Sequence, residues 1–167
     1  KNGSMMGKKK KMMPKKKTFR SSNREEWFLT AMANSRNKGA KWERDLAKLL
    51  FLELGINFTR NLEQYRTAQG GDLIPDDEQF PFSIEAKHYA NGRGCKKEWW
   101  AQSEKAAIAA NRMPCVIYKY DRYPPRAVVS LEAIAKIYGK QDDGNILVEL
   151  SIEGFCYLVR EIMNDQR

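Results

Sequence analysis

The sequence predicts an α/β domain whose central sheet is mixed and flanked by helices on both faces. Two patterns point there: helical segments precede a run of three strands, and helix and strand then alternate. The length fits as well, because 167 residues suit one domain able to bury a core without disulfides or a structural metal.

Residues 1–20 carry nine basic side chains (Lys1, Lys8 to Lys11, Lys15 to Lys17, Arg20) and no acidic one. Residues 1–21 therefore read as a disordered basic arm, and 22–167 as a single domain. "KNGS" resembles a cloning remnant, whereas "MMGKKKKMMPKKK" reads as a natural leader. The net charge of +9 comes from 30 basic and 21 acidic residues, and all of the excess lies in the arm. Such an arm suits salt-sensitive contact with phosphates, with a solubilising tail as the alternative.

Next, "SSNREEWFLTAMANS" predicts a short helix, with Ser22 or Asn23 as N-cap and Trp27, Phe28, Ala31 and Met32 at helical spacing. "NKGAKWERDLAKLLFLELG" predicts a second helix, with Trp42, Leu46, Leu49 and Leu50 on one flank and Gly55 as stop. "INFTRNL" reads as a strand. After the polar "EQYRT" and the linker "AQGG", "DLI" and "FSIEAKHY" form a hairpin around "PDDEQFP". "KKEWWAQSEKAAIAANR" predicts a helix, "CVIYKY" a buried strand, "RAVVS" a shorter strand, and "SLEAIAKIYG" a helix capped by Ser130 and stopped at Gly139. "NILVELS" reads as a strand, and "FCYLVREI" fits helix and strand alike.

Cys95, Cys115 and Cys156 are odd in number and lack zinc-site spacing, which fits a reducing, intracellular setting. No apolar run approaches the roughly 20 residues that span a bilayer, and no signal-peptide h-region is visible, so a soluble protein away from membranes is expected.

The chemistry concentrates in Gly70 to Ala90, where five carboxylates (Asp72, Asp76, Asp77, Glu78, Glu85) precede Lys87. With strands 72–74 and 82–89 paired antiparallel around Glu78 and Gln79, Asp72 lies opposite Glu85. Asp76 falls opposite Pro81, roughly 13 Å from Glu85 at about 3.3 Å per residue, too far to share an ion with it. Asp76, Asp77 and Glu78 then read as solvated turn residues. Lys87 shares the face of Glu85, while Ile84, Ala86 and His88 take the other. Facing carboxylates invite a proton or a divalent cation between them; an ordinary charge cluster on a wet sheet face is the alternative. Glu43 sits at the edge of the buried stripe of its helix, where a carboxylate needs a metal or an arginine such as Arg60 or Arg66.

Together, "KGAKWERDLAKLL", "FTR", "GGDL" and "SIEAKH" resemble the PD-(D/E)XK nuclease superfamily, and within it the archaeal-type Holliday junction resolvases and their phage-borne relatives. The resemblance spans about residues 36–130 and rests on motif order and spacing. Gly71-Asp72 replaces the Pro-Asp of many relatives, a change expected to matter little; residues 131–167 match nothing in the family pattern. The resemblance implies a three-layer α/β/α restriction-endonuclease-like core with a central mixed β-sheet. It implies Mg²⁺-dependent hydrolysis of DNA phosphodiesters, with Mn²⁺ as a substitute, the metal being held by Glu43, Asp72, Glu85 and the carbonyl of Ala86. Lys87 would orient water or offset charge, and Gln102 would bind water or a phosphate unless it is a plain helix-surface residue. A homodimer making paired nicks in four-way junctions is the implied assembly, with Lys38, Lys41, Arg44, Arg60, Arg66, Arg93, Lys96 and Lys97 as candidate phosphate contacts. His88 reads as structural, and Trp99 and Trp100 as core or dimer packing. The competing readings are another nicking or restriction-like nuclease of the superfamily and a non-catalytic DNA-binding protein of the same fold.

Overall fold

The computed structural model describes residues 21–62, 70–135 and 146–165, with side chains from Asn34 onward. The chain divides into two units, Lys1–Asn34 and Ser35–Arg167. The basic arm before Ser21, Arg66 and the end of the "SLEAIAKIYG" segment lie outside the described residues.

Helix α1 (Ser21–Leu54) is continuous, where the sequence predicts two helices. The intervening "SRNKGAK" has weak helix formers but no proline, and an internal glycine costs only about 1 kcal/mol. That is less than the next turns gain by burying Trp42, Leu46 and Leu50, each contributing roughly 1.5–3 kcal/mol. Gly55 ends the helix as expected, with a left-handed φ of 71° and its N–H donating to the Phe51 carbonyl at 2.8 Å.

The strands are β1 (Phe58–Arg60), β2 (Leu73–Pro75), β3 (Phe82–Tyr89), β4 (Met113–Tyr120), β5 (Arg126–Ser130) and β6 (Leu147–Ser151). The helices between and after them are α2 (Lys97–Ala110), α3 (Leu131–Ala135) and α4 (Ile152–Asp165). "INFTRNL" shortens to three residues, and Ser130 closes β5 rather than only capping a helix. The "FCYLVREI" segment is helical. Its apolar residues Ile152, Phe155, Cys156, Val159 and Ile162 are buried along one stripe, and Ser151 Oγ accepts the Gly154 N–H at 3.1 Å at the entry turn.

Among the described residues the sheet has six strands in sequence order, β1 to β6. Four of the pairings are antiparallel; β3 and β4 are parallel, joined by α2 as crossover. Alternation along the strands builds two cores. Phe82 and Ile84 of β3 and Cys115 and Ile117 of β4 pack with Leu46 and Leu50 of α1 and Phe155 and Val159 of α4. On the opposite face Val116, Tyr118, Tyr120 and Val128 pack with Trp99 and Trp100 of α2. Helix, sheet and helix form the three layers expected, and the tryptophan pair belongs to the core. The three cysteines are free, and among the described residues no helix is long and apolar enough to cross a membrane.

Gly71 fixes how closely the chain approaches β3. A Cβ there would lie 2.1 Å from the Ile84 carbonyl oxygen and 2.8 Å from its nitrogen, both rigid backbone atoms. The exchange of Pro-Asp for Gly71-Asp72 therefore matters in this chain. Gly71→Ala is expected to destabilise the domain by about 1–3 kcal/mol through overpacking, read as a lower urea midpoint, whereas Gly39→Ala, with open space around it, should leave the midpoint unchanged or raise it.

Candidate active site

The β2–β3 hairpin has the register read from the sequence. Leu73 pairs with Ile84, and the Asp72 N–H donates to the Ile84 carbonyl at 2.7 Å. Asp72 thus stands opposite Glu85. Its Oδ2 accepts the Ala86 N–H at 2.6 Å, so Ala86 meets the site through its amide. On the other side Asn61 binds the same stretch, its N–H donating to the Asp72 carbonyl at 2.9 Å and its side-chain amide to the Gly71 carbonyl at 3.1 Å.

Glu85 is 1% exposed and has the strongest electrostatic demand in this hairpin. Lys87 Nζ donates to Oε1 at 2.5 Å, but no donor reaches the buried Oε2. Burial, and then the facing Asp72 carboxyl, push the Glu85 pKa up to about 7, with Lys87 opposing. Two carboxyl groups at hydrogen-bonding range satisfy each other only when a proton lies between them, and a cation would do the same work. An orphaned buried oxygen beside a second carboxylate fits a hard divalent cation, with Asp72 and Glu85 as its oxygen ligands.

Lys87 is held from two sides, since it also donates to Gln102 Oε1 at 3.0 Å. The parallel crossover explains that contact: α2 returns over β3 and sets Gln102 above the Glu85–Lys87 face. Gln102 is therefore engaged by a site residue.

Glu43 stands apart. Arg60 Nε donates to its carboxylate, the arginine partner named as one alternative. Among the described residues no group of three or more acidic, histidine or cysteine side chains converges to hold a metal. Arg60 is correspondingly engaged by Glu43 while remaining partly exposed. Lys38 is also engaged, donating to Asp121 Oδ2 at 2.7 Å. Lys41, Arg44, Arg93 and Lys97 are exposed. Lys96 lies over the stacked rings of Tyr89 and Trp99, 4.9 and 5.1 Å from their centroids.

Asp76 is an exposed residue at the start of the turn, as the sequence reads, and it also has defined partners. Its carboxylate accepts the Asn57 N–H at 3.0 Å and the Asn57 side-chain amide at 2.8 Å, extending the β1–β2 ladder away from the site. The turn itself is carried by Asp77, whose Oδ1 accepts the Gln79 N–H at 2.8 Å.

Sequence reading missed Asp121. His88 donates through Nε2 to its Oδ1 at 2.8 Å, and the His88 ring meets Trp42 edge-on at 5.9 Å. Burial lowers the His88 pKa, with the Asp121 hydrogen bond opposing, and the carboxylate partner calls for a proton on Nε2. The Lys38 and His88 hydrogen bonds hold Asp121 below the usual carboxylate range. His88 thus sits in a structural network on the face opposite Glu85. Asp121 lies in "YDRYPP", which reads only as a turn, and its partners are 83 and 33 residues away.

A family model described as "Phage putative PDDEXK endonuclease" matches residues 34–163, reaching into the segment past 130 that the motifs did not cover. No curated protein matches the chain. Among solved structures, it is similar to that of Archaeoglobus fulgidus Hjc, a Holliday junction resolvase from an archaeal hyperthermophile. The two are 13% identical, over 73% of this chain and 98% of the other, with a TM-score of 0.47. With the family model covering most of the sequence and the Asp72, Glu85, Lys87 hairpin inside it, this chain belongs to the phage PDDEXK endonuclease family.

Proposed function

We propose that the protein is a Mg²⁺-dependent endodeoxyribonuclease, with Mn²⁺ as a substitute, that resolves four-way DNA junctions as a homodimer by paired symmetric nicks. The observation that carries the hydrolytic reading is the buried Glu85 oxygen without a donor, next to Asp72 and beside a lysine fixed at 2.5 Å. The junction reading rests on the likeness of "KGAKWERDLAKLL", "GGDL" and "SIEAKH" to the junction-resolving branch of the superfamily. The basic arm would add non-specific attraction to phosphates, with 22–167 as the catalytic domain.

In this reading Asp72 and Glu85 hold the cation, joined by the Ala86 carbonyl and by Glu43 once it leaves Arg60. When bound, the cation supplies a water of lowered pKa and stabilises negative charge on the phosphate. Lys87, kept in place by Gln102 and Glu85, orients the attacking water and offsets charge in the transition state. Ala86 N–H keeps Asp72 aimed at the same point. Lys41, Arg44, Arg93, Lys96 and Lys97 bind the backbone, and Arg60, Arg66 and Lys38 join them where DNA displaces their present partners.

The carboxyl pair has a thermodynamic signature of its own. Glu85 titrates at about 7 when folded, against 4.5 for its ordinary value, so the folded state binds the extra proton. In the metal-free protein stability should therefore be greatest below pH 4.5 as far as this group is concerned, and fall by up to about 3 kcal/mol as pH rises to 7. Urea denaturation across that range checks it: Glu85→Gln should flatten the slope, and Mg²⁺ should restore stability at pH 7.5 in the parent only.

Cleavage tests the proposal directly. With Mg²⁺, a labelled four-way junction should receive paired symmetric nicks while linear duplex and single strand of the same sequence stay intact, and EDTA should stop the reaction. Asp72→Asn should lose at least about 100-fold in rate, whereas Asp76→Asn should cut normally. Equal cutting of linear duplex would replace junction resolution with a restriction-like activity, and a loss confined to Asp76→Asn would overturn the assignment of Asp72.

A further inference from the structure

One strand away from Lys87, on the same face of the sheet, lies a groove of about 330 Å³ that the hydrolytic site does not use. Its floor is aromatic. Tyr118, the register partner of Lys87 across the parallel pair, and Tyr120 line it, together with Tyr123, which is 67% exposed. Arg126 of β5 and Glu149 of β6 line it as well, so with adjacent strands about 4.8 Å apart the groove extends from one to three strands away from Lys87.

Both walls are built with care. On one side the loop after β3 is clamped to Tyr120. A Cβ on Gly92 would meet the Tyr120 ring at 2.3 Å, and Tyr120 Oη donates to the Gly94 carbonyl at 2.9 Å. That clamp presents Arg93 between two glycines, at the rim. On the other side the Tyr120–Tyr123 turn closes with a 3.2 Å hydrogen bond and holds Arg122, a non-glycine residue, at a φ of 68°. Such a conformation is uncommon outside glycine, and here it delivers Tyr123 to the open side of the groove.

The polar groups suit a nucleotide. Glu149 Oε2 accepts from Tyr118 Oη at 2.5 Å, and Arg126 Nε forms an ion pair with Oε1 at 3.9 Å, longer than a hydrogen bond. Oε1 thus keeps capacity to accept from an exocyclic amino group, while Arg93 and Arg126 supply two guanidinium groups for a phosphate. An exposed tyrosine gives a base a stacking surface.

We propose that this groove binds one unpaired nucleotide of the DNA strand being cut, its base stacked on Tyr123 and its phosphate held by Arg93 and Arg126. The inference rests on the DNA-cleaving reading above and deepens it. A site of this kind selects DNA with an unpaired or readily unpaired base next to the scissile bond, which is a property of branch points and not of uniform duplex. Tyr123 and Arg93 act as positioning residues.

The test uses the full chain in EDTA with a duplex carrying a single unpaired 2-aminopurine, beside the same duplex fully paired. Quenching of the unpaired probe on binding is expected. Tyr123→Ala should abolish the quench and weaken binding to the unpaired probe at least fivefold, leaving the paired duplex within twofold. Tyr123→Trp should retain the quench, and Arg93→Ala should weaken affinity while the residual complex remains quenched. If Tyr123→Ala, with circular dichroism like the parent, binds and quenches unchanged, the proposal is wrong. The nuclease reading fails separately. A parent protein that cuts no DNA in Mg²⁺ yet loses its quench in Tyr123→Ala would keep the nucleotide site and discard the hydrolysis.

Discussion

The Ile84 carbonyl oxygen occupies space that any side chain at position 71 would claim, and the segment leading into β2 can lie against β3 only because a glycine stands there. From that approach follow the 2.7 Å bond between the Asp72 N–H and Ile84, the 2.6 Å bond that aims Asp72 at its neighbour strand, and the confrontation of Asp72 with Glu85. Lys87 and the buried Glu85 oxygen take their positions from the same hairpin, and Gln102 reaches Lys87 from α2 above it. The acidic pair is thus a property of backbone packing before it is a property of side-chain charge.

The confrontation is unfavourable by itself. A carboxylate buried to 1% exposure loses most of its hydration, and a second carboxylate adds repulsion that one lysine offsets only partly. The rest of the domain supports that local strain with two apolar cores, one on each face of the sheet. Glu43 shows a different arrangement: the Arg60 guanidinium meets its carboxylate. The two glutamates differ in that Glu43 has a full cationic partner in this structure, whereas one oxygen of Glu85 has none among the described residues.

How much of this was legible in the sequence follows from how local each feature is. The hairpin register could be read because strand periodicity is two and the turn lies between the strands, so a slip of one residue would turn every apolar side chain outward. Gly55 and the helix before it were legible for the same local reason. Continuity of α1 was not, because Ser35, Asn37 and Gly39 read as a break and the packing that carries the helix through is made by Trp42 and Leu46 in the turns that follow. α4 was ambiguous as a short apolar run, and it resolves only against the sheet face it covers. The Lys38–Asp121–His88 network and the clamp of Gly92 on Tyr120 join residues far apart in sequence, and no spacing rule encodes them.

The strands of this sheet pair in the order in which they occur along the chain. Each pairing closes a loop over its immediate neighbour, and the α2 crossover between β3 and β4 is a helix that can form on its own residues. Loop-closure entropy grows with the length closed, and folding slows as contacts become less local. A sheet wound in this order asks for few long closures, and the hairpin holding Asp72 and Glu85 is among the shortest of them. The acidic pair is therefore joined by a short closure, and the loop-closure entropy opposing its approach is small beside the electrostatic cost of setting two carboxyl groups face to face.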